Sequence, residues 1–153
     1  MKLNYIIIPL ITLLVASVGS WLTSGGMGWY QTINLPAWTP AGSVIGAIWT
    51  IIFILATISA LLVWNRFSHG KRFNWIFITF AVNAFLNVLW SFLFFGQHLL
   101  SLAIIDAALL GISVIALIVL IRHASRLAAL LLYPYAIWAA FATYLTYTVW
   151  LLN

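Results

Sequence analysis

The chain has 153 residues, 66% of them hydrophobic and only 5% charged, with a net charge of +5 and a single acidic residue, Asp106. Soluble domains carry about 25% charged residues, so this chain cannot keep a wet surface and its solvent must be mostly lipid. One acid excludes paired-carboxylate catalysis, and the lack of cysteine excludes disulfides, thiolate metal sites and cysteine nucleophiles.

At roughly 20 apolar residues per span, the apolar runs predict an all-α integral membrane bundle of five transmembrane helices, a single domain over 1–153. The first run is 5–22, preceded by Lys2. Small residues between Ala16 and Ser20 resemble a signal-peptide cleavage region, but the run is long enough to span and four more follow. Residues 25–42 read as an uncharged loop with Gly25, Gly26, Gly28, Pro36 and Pro40, holding Trp29 and Trp38. The second span is 43–64. A polar turn over 65–73 carries Arg66, His69, Lys71 and Arg72, and the third span is 74–95. Gly96, Gln97 and His98 make a short turn before the fourth span, 100–121. A basic turn over 122–126 leads to the fifth span, 127–152, where Pro134 predicts a kink or local break.

Lys2, Arg66, Lys71, Arg72, Arg122 and Arg126 all fall on one side of this arrangement. In a soluble protein the basic excess would suggest nucleic acid. Between apolar runs it reads as topology, with the N-terminus cytoplasmic and Asn153 outside, and no nucleic-acid partner is expected. His69, His98 and His123 lie at span ends and read as interfacial residues, so no metal site is expected. Trp21, Trp64, Trp75 and Trp150 are assigned to the interfacial belt.

Polar residues inside spans are costly in lipid and therefore informative. Asn83 and Asn87 share a helix face that continues through Trp90 and Phe94. Ile45, Trp49 and Phe53 form a stripe on the second span, and Trp138, Ala142 and Leu145 on the fifth. These faces could enclose an apolar pocket with a few polar groups; the asparagines could equally serve interhelical hydrogen bonding. Asp106 is expected in a structural role, protonated or bonded across helices. Gly46, Ala47, Gly111, Ala139, Ala140 and Ala142 permit close helix approach, and no motif locates a dimer interface.

Leu35-Pro36-Ala37-Trp38-Thr39-Pro40-Ala41-Gly42, followed by Ile48-Trp49-Thr50, resembles the hallmark of the TspO/translocator protein family, the tryptophan-rich sensory proteins related to the peripheral-type benzodiazepine receptor. The likeness continues through Asn83, Asn87, Trp90-Ser91, Phe94-Phe95-Gly96, Leu102-Ala103-Ile104-Ile105-Asp106 and Ser125-Arg126-Leu127-Ala128. It closes on Pro134-Tyr135, Trp138, Phe141-Ala142-Thr143-Tyr144-Leu145 and Asn153. The resemblance implies five transmembrane helices in a bacterial-type inner-membrane protein, often a homodimer, with a pocket under the first loop, which acts as a lid. It implies a porphyrin or haem, or another apolar small molecule, as ligand rather than as a required cofactor. By motif, Tyr30, Pro40, Ile45, Trp49, Phe53, Asn87, Trp90, Phe94, Trp138, Ala142 and Leu145 should line that pocket.

Some bacterial members of the family are associated with light-dependent protoporphyrin breakdown at the tryptophans matching Trp49 and Trp138, which makes these two the candidate photochemical residues. Animal members carry a sterol pattern of an aliphatic residue, a tyrosine and a basic residue. Here Leu145 and Tyr147 are followed by no Lys or Arg, so specific sterol binding is not expected. Three functions compete: tetrapyrrole binding and sensing, light-dependent porphyrin degradation in the same pocket, and transport of tetrapyrroles or other apolar ligands. A single buried acid offers no multi-group proton relay for an ion-driven transporter.

Overall fold

A computed structural model of the chain describes residues 3–66 and 70–153. Six α-helices make five spans of membrane-crossing length: α1 (Asn4–Tyr30), α2 (Gly42–Arg66), α3 (Lys71–Ser91) continued by a π-helical turn (Phe92–Gly96), α4 (Leu100–Arg122), and α5 (Arg126–Leu130) followed by α6 (Tyr133–Leu152). No strand occurs among the described residues. In hydrocarbon every backbone N–H and C=O needs a partner within its own segment, and the helix supplies one.

The predicted break in the fifth span lies where Pro134 requires it. α5 ends at Leu130, and Pro134 sits in the first turn of α6, where a missing N–H has no intrahelical partner to lose. Ser125 caps α5, its Oγ accepting from the Ala128 N–H at 3.2 Å.

Two boundaries differ from expectation. Residues 25–42 were expected to form a loop, but α1 continues through Gly25, Gly26 and Gly28 to Tyr30, leaving a loop of only 31–41. The reason is contact. A Cβ built at Gly26 would fall against the Phe95 carbonyl oxygen and 2.7 Å from the Phe95 Cβ. Glycine is needed there for close approach of α1 to the π turn, not for a turn of its own. Trp21, expected at a span end, therefore lies within the first span, where it is exposed.

The π turn is the second difference. Its i→i−5 bond runs from the Gln97 N–H to the Phe92 carbonyl at 2.9 Å. The local unwinding turns the successive side chains Phe94 and Phe95 both inward, at 3% and 9% exposure.

α4 is the most enclosed span and packs along α3 and α6. α1 packs against α2, α3 and the π turn, while α2 meets α5 and touches α6 only lightly. Asn4 donates to Asn65 at 3.3 Å and Thr57 to Thr12 at 2.9 Å, tying α1 to α2 in one half of the bundle. In the same half the Ser59 hydroxyl donates to the Ala128 carbonyl at 2.8 Å, tying α2 to α5. Gly111 and Ala139 meet at the α4–α6 contact, a use of small residues inside the bundle. Arg66, Lys71, Arg72, Arg122 and Arg126 sit at the tied end, where Arg72 Nε donates to the Leu120 carbonyl at 3.2 Å. Lys2 and His69 lie outside the described residues.

Candidate functional site

α2 touches α6 only lightly, and the bundle holds a cavity of about 1480 Å³ beneath the 31–41 loop. The three stripes read from the sequence meet in it. α2 contributes Ile45, Trp49 and Phe53; α3 and the π turn contribute Asn87, Trp90 and Phe94; α6 contributes Trp138, Ala142 and Leu145. Tyr30 enters from the end of α1 and Pro40 from the loop, so all eleven candidate residues line one space.

Aromatic packing sets the walls. Trp90 stacks on Phe94 with centroids 5.0 Å apart, and Trp29 meets Phe94 edge-on at 5.6 Å. Trp49 lies edge-on to Tyr135 at 5.8 Å, and Trp138 stacks on Phe141 at 5.0 Å. The indole N–H groups of Trp90 and Trp138 are buried without a hydrogen-bond partner among the described residues. Among the described residues, no Lys, Arg, His or Asp lines the cavity.

The asparagines serve both of the roles left open by the sequence. Asn87 Nδ2 donates to the Tyr135 hydroxyl (3.3 Å), which donates to Asn83 Oδ1 (3.0 Å). Asn83 Nδ2 donates to the Ser113 hydroxyl (2.8 Å), which donates to the Leu110 carbonyl (2.7 Å). This one-way chain joins α3, α4 and α6. Asn83 is engaged in it through both its carbonyl and one N–H and does not line the main cavity, whereas Asn87 is the chain's free end and part of the cavity wall. Of the two structural roles expected of Asp106, protonated or bonded across helices, the second is not formed: it is 4% exposed, and neither carboxyl oxygen has a partner among the described residues. It does not line the cavity.

One wall was missed in the sequence. Ala16, Ser17, Ser20, Thr23, Ser24 and Met27 of α1 line the cavity. Their signal was the three- and four-residue spacing of Ser17, Ser20, Ser24 and Met27, a helical stripe hidden behind the signal-peptide look of the segment. Leu13 and Trp21 also border the cavity while 63% and 74% exposed, so it opens sideways toward lipid along α1.

The 31–41 loop closes the end remote from the basic residues. Leu35, Pro36, Thr39, Pro40 and Ala41 line the cavity, and Ile33 and Leu35 pack on the Phe94–Phe95 cluster. Trp38 stacks on Tyr144 of α6 at 5.5 Å. At the neighbouring turn His98 has φ 58°, in the left-handed region, and its ring stacks on Trp29 at 4.0 Å.

A sequence model of the TspO/MBR family matches residues 7–151. The Tryptophan-rich protein TspO of Bacillus cereus is 35% identical over 153 residues, covering 100% of this chain and 99% of its own. The protein of the same name from Archaeoglobus fulgidus is 36% identical over 146 residues, 94% of this chain and 93% of its own. The human Translocator protein is 33% identical over 135 residues, 87% of this chain and 80% of its own.

Proposed function

The chain belongs to the TspO/MBR family of integral membrane proteins, and on that footing we propose that it is a tetrapyrrole-binding and sensory protein. A porphyrin or haem enters the cavity beneath the first loop. The observation that carries this reading is the cavity itself. Its volume of about 1480 Å³ exceeds the roughly 300–1,000 Å³ of ordinary small-molecule sites, and aromatic rings from α1, α2, α3, the π turn and α6 line it among aliphatic and uncharged polar side chains. Large planar apolar ligands stack on such walls.

The absence of charged lining residues sets the orientation. Propionate groups have no cation to meet among the described lining residues, so the ring is buried and the carboxylates stay at the rim by the loop. The sideways opening along α1 gives a ligand dissolved in lipid a route in. The gathering of the basic residues at one end supports a cytoplasmic N-terminus with Asn153 outside, and the family resemblance supports a bacterial inner-membrane homodimer. A reporter active only in the periplasm, fused after Asn153, checks the orientation; an inactive fusion contradicts it.

A second reading has its own support: Trp49 and Trp138 reach the same cavity from different helices, as a photochemical partner pair on one bound porphyrin would. The deciding experiment for binding is a fluorescence-quenching titration of purified protein with protoporphyrin in the dark. Saturable quenching that haem competes away supports the reading. Linear quenching equal to that of an unrelated membrane protein removes it.

A further inference from the structure

A second, smaller cavity of about 220 Å³ lies in the basic half of the bundle, between α1, α2 and α3. It adjoins the main cavity at Val15, Phe53 and Asn87, which line both. We propose that it is a second binding site, for a monocyclic phenol held by the Asn87 amide that it shares with the main cavity.

Size comes first. A dry apolar cavity of about 150 Å³ holds benzene, so this space suits one substituted ring and cannot admit a tetrapyrrole. Its walls suit a ring as well: Trp64, Phe77 and Phe80 line it, with Trp64 edge-on to Phe77 at 4.9 Å.

The polar side is specific. Asn83, Asn87 and Tyr135 line the cavity and are 7%, 8% and 3% exposed. The one-way chain through them consumes the Tyr135 hydroxyl and the Asn83 carbonyl. Asn87 uses one N–H, and its Oδ1 accepts no hydrogen bond among the described residues. An amide in this state offers one acceptor and one donor. A phenol hydroxyl donates once and accepts once, matching both. An acyl chain would fill the space but leave the amide unused. Ile7, Ile11 and Ala81 border the cavity and are exposed, so a lipid-soluble phenol can enter from the side.

This proposal does not depend on tetrapyrrole binding, and its test uses no porphyrin. 4-Fluorophenol is titrated into the detergent-solubilised protein and followed by fluorine NMR, with empty micelles as the control. Saturable binding is expected, at least fivefold weaker for fluorobenzene, which lacks the hydroxyl. Ala84→Leu and Ala81→Leu fill the cavity from different positions, and each should weaken binding at least tenfold. Ala142→Trp, in the main cavity, should leave it within twofold. Thermal melting of each variant confirms folding, and the wild-type titration stands without them. Non-saturable partitioning that matches empty micelles overturns the site. Equal affinity in folded, filled variants overturns its location, and equal affinity for fluorobenzene overturns the role of Asn87.

Discussion

Asn34 and Asn153 clasp each other across the whole sequence. The Asn34 backbone N–H donates to Asn153 Oδ1 and Asn153 Nδ2 donates to the Asn34 carbonyl, both at 2.9 Å. One side chain at the end of α6 thus satisfies both backbone groups of a loop residue and fixes the 31–41 loop over the cavity. Asn34 Nδ2 adds a weaker bond to the Leu152 carbonyl at 3.3 Å. Asn153→Ala should therefore loosen the loop, since each bond contributes about 0.5–1.5 kcal/mol net. Amide hydrogen exchange over 31–41 should quicken roughly tenfold. Asn34→Ala removes only the side-chain bond and should have a smaller effect. Equal exchange in parent and Asn153→Ala would show that the aromatic contacts alone hold the loop.

Close approach at Gly26 predicts an asymmetry among neighbouring glycines. Gly26→Ala drives a methyl into the Phe95 backbone, which cannot swing away as a side-chain tip can. Overpacking of this kind costs about 1–3 kcal/mol, read as a lower melting temperature in detergent. Gly25 and Gly28 have nothing within 4 Å of an added Cβ. Alanine at either should be neutral or stabilise the helix by up to about 1 kcal/mol. Equal melting of all three variants would contradict the α1–π-turn contact.

The five spans were legible because membrane helices announce themselves by length and apolarity, and the candidate cavity residues because polar and aromatic side chains stand out against that background. Three things were not. In α1, glycines that serve packing look the same in sequence as glycines that serve turns, and Gly26 is explained only by Phe95. The π turn at Phe92–Gly96 packs closely against α1, a contact between distant segments that the local sequence does not display. The serine stripe of α1 lies in a segment whose small residues resemble a signal-peptide cleavage region, and that likeness masks its helical spacing.

The hydrogen-bonded chain separates the duties of the two asparagines. Asn87→Leu should weaken porphyrin binding by roughly 1–3 kcal/mol, the scale of an unpaired buried group. Asn83→Leu leaves the Tyr135 hydroxyl without its acceptor and should lower stability by about 0.6–2 kcal/mol, with affinity within about threefold of parent. Quenching titrations and melting curves on both variants check this. If Asn87→Leu binds normally, Asn87 is a structural residue like Asn83.

Trp49 and Trp138 carry the photochemical reading. Indole is readily oxidised, and phenylalanine keeps the apolar ring while removing that donor. Trp49→Phe and Trp138→Phe should preserve dark binding and slow light-dependent porphyrin loss by severalfold. Free porphyrin bleaches unaided, so the comparison is with an unrelated membrane protein under equal illumination. If both variants match the parent, or the control bleaches as fast, the tryptophans are packing and binding residues only.

The central claim is that a tetrapyrrole occupies the cavity under the 31–41 loop, and filling that cavity tests it most directly. Ala142 lines the cavity, and Ile137, on the same helix, is 70% exposed and does not line it. Protoporphyrin titration of Ala142→Trp and Ile137→Trp, in the dark and at matched melting temperature, adds the same indole inside and outside the space. Affinity should fall at least tenfold in Ala142→Trp and stay within about twofold in Ile137→Trp, with the parent insensitive to salt because no charged side chain among the described residues lines the cavity. Equal affinity in the two variants would place the porphyrin elsewhere on the protein and contradict the account.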